Sequence, residues 1–204
     1  MSARDEILTN IRTRRVRAAT RPGPYKVTAL PNETVRQFID RARASGADVK
    51  QLASARDIPT AIAEALRDRN LPAIVHLPPE AQWQALAWDT APGLTVSRER
   101  PGGDDAALNE APFAIAETGT LAFLSDPARP ASWHFRPGLE IAVVRSDAVL
   151  PHLESVLAKA KLAGQLPHTI NLVTGPSRTG DIEQTLEMGA HGPKALVILV
   201  IDGA

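Results

Sequence analysis

The sequence predicts an α/β sandwich with a largely parallel sheet. Two observations carry that expectation. Apolar runs of strand length alternate repeatedly with segments whose apolar residues recur at helical spacing, and the second half has longer runs separated by Gly and Pro turns. In chain order, Ile7, Leu8, Ile11, Val16 and Ala18 form a partial apolar stripe, the pattern of an amphipathic helix. Residues 22–31 are Pro-rich and irregular, a hinge. Asn32 is a good N-cap, and Val35, Phe38, Ile39 and Ala42 then fall on one helical face until Gly46 ends the pattern. Residues 47–52 read as a short strand. Pro59 suits the first turn of a helix whose Ile62, Ala65 and Leu66 share a face. Residues 71–77 supply the next strand, residues 83–88 a short helix after Pro78 and Pro79, and residues 94–96 a brief strand before the flexible stretch 101–105.

Residues 113–116 and 121–124 flank a polar break at residues 117–120, either two strands or one kinked strand, with an antiparallel pair expected there. Residues 139–144 form a strong strand pattern, followed by a helix through Val149, Leu153, Val156, Leu157 and Ala160. A strand at 169–174, a helix from about Asp181 to Met188, and a strand at 195–201 complete the order.

At 204 residues the chain can bury one substantial core, so one domain with an appendage is expected: a basic helical extension at 1–26 and an α/β domain at 27–204. The balance of 44% apolar and 23% charged residues is that of a soluble globular protein, and no apolar run approaches the roughly 20 residues of a membrane helix. There is no apolar region suited to a cleaved signal peptide, and a cytoplasmic location is expected. The absence of cysteine excludes disulfides, thiolate zinc sites, cysteine nucleophiles and cysteine-ligated iron–sulfur clusters. A net charge of zero argues against non-specific nucleic-acid binding by the whole chain. The charge is uneven, however: Arg4, Arg12, Arg14, Arg15, Arg17, Arg21 and Lys26 oppose only Asp5 and Glu6. That opening helix either rests on its own domain with a solvated basic face or docks on a partner.

Three constellations carry chemistry. In residues 175–183 an apolar strand stops at Gly175-Pro176, and Ser177, Arg178, Thr179, Asp181 and Glu183 crowd the expected start of a helix. Ser177 and the backbone offer donors there, and Arg178 can grip a phosphate or carboxylate bidentately. Asp181 and Glu183 work against an incoming anion, and the alternative is a turn with Arg178 in an internal salt bridge. The segment lacks the Lys-Ser/Thr ending of a P-loop and the dinucleotide glycine spacing. In the second constellation Glu117, Thr118, Gly119 and Thr120 place a carboxylate and two hydroxyls at a sheet break. Glu117 is a candidate nucleophile or general base, or simply a turn anchor. The third is His191, followed by Gly192 and Pro193, a loop histidine open to acid/base work or to a structural role. His76, His134, His152 and His168 show no metal-ligand spacing, so no metal is assigned. Without a Gly-x-Ser-x-Gly elbow or a local base for Ser177, a serine hydrolase is disfavoured.

Residues 113–121, 175–183 and 191–193, taken together and in order, resemble the lactate-utilisation protein C family, the LUD domain. Residues 7–12 and 38–49 are similar to the family's N-terminal portion, residues 78–111 are the least family-like, and Gly180 stands where the family often carries alanine. The resemblance implies a three-layer α/β fold similar to the sugar-phosphate isomerase and CoA-transferase (NagB/RpiA) group. It implies a role in oxidising L-lactate to pyruvate beside partner subunits that carry iron–sulfur clusters, with no cofactor bound by this chain. It also implies a second possibility, an enzyme or sensor that binds a carboxylate, CoA ester or phosphorylated ligand between Glu117, Arg178 and His191. CoA transferases of that group use a glutamate in a Glu-x-Gly setting, the form of Glu117-Thr118-Gly119.

Overall fold

The computed structural model describes residues 2–13, 23, 34–126, 132–162, 167–180, 186–189 and 192–202. Its first half runs α1 (Ala3–Thr13), α2 (Thr34–Ala44), β1 (Asp48–Leu52), α3 (Ile58–Arg67), β2 (Ile74–His76), α4 (Ala81–Gln84), β3 (Thr95–Ser97) and β4 (Ala106–Glu110). The second half runs β5 (Phe113–Ile115), β6 (Thr120–Leu124), α5 (Ser132–Phe135), β7 (Leu139–Arg145), β8 (Val149–Leu150), α6 (Leu153–Leu162), β9 (Ile170–Val173), β10 (Arg178–Gly180), β11 (Leu186–Met188) and β12 (Ala195–Ile201).

The central sheet holds six strands in the order β1-β12-β7-β4-β2-β3, with every pairing parallel. Among its middle strands β12 is apolar on both faces, as suits a strand covered on both sides. Along β12, Val197, Leu199 and Ile201 join a core with Ile58, Ile62 and Leu66 of α3. The alternate residues Leu196, Ile198 and Val200 join Phe38, Ile39 and Ala42 of α2 on the opposite face. That second face is shared with a smaller sheet in the order β8-β5-β6-β9, whose Ala114, Leu121 and Phe123 enter the same core. The outer side of the small sheet, Ile115, Ala122 and Leu150, is covered by Val156 of α6. The layering is therefore α3, central sheet, then α2 with the small sheet, a layered α/β fold.

The element order read from sequence holds for α2, β1, α3, β2, β3, β5, β6, β7, β9 and β12, with boundaries moved by a few residues. The antiparallel pairing of β5 with β6 also holds. Four readings change. The strand at Ile170–Val173 belongs to the small sheet, antiparallel to β6, and not to the parallel one. Strand β4 is absent from the sequence reading because Ala106, Ala107 and Asn109 lack the bulk that marks a strand, yet all three are buried between β7 and β2. Val149–Leu150 forms a strand rather than the first turn of α6, and Pro151 separates the two.

The fourth change bears on the site. The last described residues of the helix expected near 181–188, Leu186–Met188, form strand β11, which pairs antiparallel with β10 so that Arg178 lies opposite Met188. Backbone groups of residues 178–180 that a helix start would leave unpaired are used in a ladder, so these residues offer an anion no free helix N-terminus. Residues 181–185 lie outside the described residues. The opening helix α1 buries none of its residues, and Ile7 and Ile11 stay exposed.

Candidate functional site

Helix α2 ends in a Schellman motif. The Ala47 N–H donates to the Ala42 carbonyl at 3.1 Å and the Gly46 N–H to the Arg43 carbonyl at 2.9 Å, with Gly46 at φ 92° in the left-handed region that a side chain resists. Two further glycine turns press against this helix end. A Cβ on Gly119 would stand 2.3 Å from the backbone nitrogen of Ala42, and one on Gly175 would stand 2.2 Å from the Ser45 carbonyl oxygen. The turn after β5 and the loop after β9 thus meet at one place because both lack a side chain there.

The topology of the small sheet puts four chain segments at that end. Strands β8, β5 and β9 finish there and β6 begins there. The resulting row starts at His152, whose Nδ1 lies 3.0 Å from Glu117 Oε2. The imidazole is 7% exposed and the carboxylate side chain 52%. The Glu117 N–H also donates to the Pro151 carbonyl at 3.1 Å, fixing the carboxylate's backbone beside its partner. Thr118 and Thr120 share a hydroxyl hydrogen bond of 2.6 Å, and Thr120 shares another of 2.6 Å with Thr174.

Beyond Thr174 the chain turns through Gly175 and Pro176 to Ser177. The Ser177 N–H donates to the Pro193 carbonyl at 2.9 Å and its carbonyl accepts from Gly189 at 3.1 Å. Arg178 follows with its guanidinium over Gly46, where a Cβ would stand 2.7 Å from Nη2. A depression of about 410 Å³ opens here, lined among others by Phe135, Leu172, Thr174, Ser177 and Arg178.

Of the residues singled out from sequence, Glu117, Thr118, Gly119, Thr120, Gly175, Ser177 and Arg178 share this end of the small sheet. Glu117 is engaged with His152 and is not among the residues lining the Arg178 depression. Thr179 lies in β10. Asp181, Glu183 and His191 lie outside the described residues. Sequence reasoning passed over His152, Thr174, Phe135 and Leu172. Only His152 left a trace, as a histidine directly after a Pro that closes an apolar pair.

A second polar cluster is sealed between the sheets. Glu140 of β7 is fully buried. Its Oε1 lies 3.3 Å from His134 Nδ1 and accepts from Asn109 Nδ2 at 3.4 Å, while Asn109 also donates to the Trp133 carbonyl at 2.7 Å. The other oxygen, Oε2, has no hydrogen-bond partner among the described residues. Burial raises the Glu140 carboxyl above the ordinary glutamate value, with His134 and Asn109 pulling more weakly the other way. The His134 ring stacks at a tilt on Phe123, with centroids 4.1 Å apart.

The sequence profile of the LUD domain family matches residues 35–201, most of the chain. The chain belongs to the LUD domain family. The chain is 31% identical over 213 residues to a "Lactate utilization protein C" of Deinococcus radiodurans, covering 98% of the chain and 95% of that relative. A protein of the same name from Halalkalibacterium halodurans is 30% identical over 123 residues, 58% of this chain. There the chain spans about half of the relative's length, 53%. A solved structure of a DUF162 family protein from Deinococcus radiodurans superposes with a TM-score of 0.58 at 23% identity, covering 85% of this chain and 99% of that one. That likeness establishes the shared fold.

Proposed function

We propose that this LUD domain protein is an accessory component of a cytoplasmic lactate-utilisation system, in which iron–sulfur subunits oxidise L-lactate to pyruvate and this chain supports them. The observation that carries the reading is the likeness to the Deinococcus radiodurans lactate utilization protein C along 98% of the chain. The chain's own chemistry agrees with a division of labour. With no cysteine it offers no thiolate to an iron–sulfur cluster, and the described residues hold no group of three His, Asp or Glu side chains placed for a metal. No helix among the described residues is long and apolar enough to cross a membrane. Deleting the gene should impair growth on L-lactate while leaving growth on glucose intact, and a tagged chain should co-purify with cluster-bearing subunits. Normal growth of the deletion strain on lactate would remove the proposal.

A second reading rests on the rim. Glu117 held by His152, the threonine hydroxyls and Arg178 are the parts of a site for a small anionic ligand: a carboxylate, CoA ester or phosphorylated compound. The supporting observation is that Arg178 lines a depression together with the hydroxyls of Thr174 and Ser177. Replacing Arg178 with Ala should weaken such a ligand by about 2 kcal/mol. Calorimetry that finds equal affinity for both proteins would take Arg178 out of the site.

A further inference from the structure

Two large apolar side chains remain exposed beside Arg178. Phe135 is 39% exposed and Leu172 46%, and both line the depression that holds the guanidinium. They arrive from different places, Phe135 from the end of α5 and Leu172 from β9, so the depression has a built apolar wall. Among its described lining residues Arg178 is the one charged side chain, and the other polar side chains are the hydroxyls of Ser45, Thr174 and Ser177. A single guanidinium with neutral hydroxyl donors balances one negative charge. Its fork matches the two oxygens of a carboxylate. A dianion would leave one charge facing only hydroxyls. The volume, about 410 Å³, falls in the range of small-molecule sites.

We propose that this depression binds a small organic monocarboxylate that carries a hydrocarbon tail. The Arg178 guanidinium and the Ser177 and Thr174 hydroxyls take the carboxylate, while Phe135 and Leu172 cover the tail. The proposal rests on the second reading above in taking Arg178 as an anion anchor, and it adds the charge and shape of the ligand. Gly46 supports it from beneath, since any side chain there would meet the guanidinium.

Calorimetric titration of the full chain with acetate, hexanoate, hexan-1-ol and inorganic phosphate tests it. Each fully buried methylene is worth roughly a factor of four in affinity, so partial cover of the tail makes hexanoate bind at least about tenfold tighter than acetate. Hexan-1-ol and phosphate bind more weakly than hexanoate. Arg178→Met lowers hexanoate affinity at least about tenfold, and Arg178→Lys, which keeps the charge but loses the fork, lowers it less. Leu172→Ser, a change at an exposed position, shrinks the preference for hexanoate over acetate. If acetate and phosphate bind through Arg178 but the tail adds nothing, the monocarboxylate proposal falls while the anion rim stands. If neither Arg178 variant alters the binding of any of these probes, both fall.

Discussion

His152 Nδ1 lies 3.0 Å from Glu117 Oε2, so a buried imidazole at the end of β8 holds a half-exposed carboxylate from the turn after β5. The two partners stand in unequal surroundings, and their removal should cost unequal amounts. Glu117→Gln keeps the shape and changes one carboxylate contact facing water, so it should cost less than about 1 kcal/mol. His152→Ala empties a buried site at the junction with α6 and should cost about 2–3 kcal/mol. Urea unfolding of both single variants and the double variant measures the coupling. Equal costs would mean that the imidazole contributes nothing beyond its contact with Glu117.

The meeting of the two glycine turns with the end of α2 is a steric fit, and alanine substitutions read it directly. At Gly119, where φ is 69°, a Cβ falls 2.3 Å from the Ala42 nitrogen, a backbone atom that cannot swing aside. Gly119→Ala should therefore cost about 3 kcal/mol or more. Gly93 supplies the control. Its φ is 85°, but nothing lies within 4 Å of its Cβ position, so Gly93→Ala should cost only the conformational strain, about 1 kcal/mol. Thermal unfolding midpoints that fall equally for the two variants would show that backbone strain, not the contact with α2, decides the effect.

Glu140 couples stability to pH. Its folded-state carboxyl titrates above the ordinary glutamate value, so the folded chain keeps a proton that the unfolded chain has already released. The stability gained this way is fully present below the unfolded value and is lost as pH rises from there through the folded one. Glu140→Gln is neutral at every pH and should flatten that part of the stability curve, becoming the relatively more stable protein on its alkaline side. Urea midpoints of both proteins from mildly acid to mildly alkaline pH provide the comparison. Parallel curves would mean that Glu140 is ionised to the same extent folded and unfolded.

The sheet strands were legible where bulk and periodicity agree. β7 and β12 are long apolar runs, and Val35, Phe38, Ile39 and Ala42 mark the inner face of α2 without ambiguity. Strand β4 was not legible, because alanine and asparagine become strand residues only when a neighbour such as β7 closes over them. The segment after Ser177 misled for a related reason. Its polar residues after Gly-Pro fit a helix start, but the tertiary partner that makes residues 178–180 a strand is Leu186–Met188, and local pattern carries no record of that pairing. At the site, Glu117 and Arg178 could be named from residue type and turn context. Their arrangement could not, since Phe135, His152 and the pair Leu172 and Thr174 come from three separate segments and only the fold gathers them.

The threonine row gives a last expectation, on whether the two turns are energetically one unit. Thr120 is buried, and its hydroxyl is the middle member, 2.6 Å from both Thr118 and Thr174. Thr120→Val keeps the shape but strips Thr174 of its partner, and should cost about 1 kcal/mol. Thr174→Val severs the same bond from the more exposed side and should cost somewhat less. Once one hydroxyl of the shared bond has gone, removing the other forfeits little, so the double variant should fall short of the sum by about 0.5 kcal/mol or more. Denaturant unfolding of the three variants reads that shortfall. Strict additivity would show that water replaces either hydroxyl freely, and the turns at Gly119 and Gly175 would then be joined only through their common contact with α2.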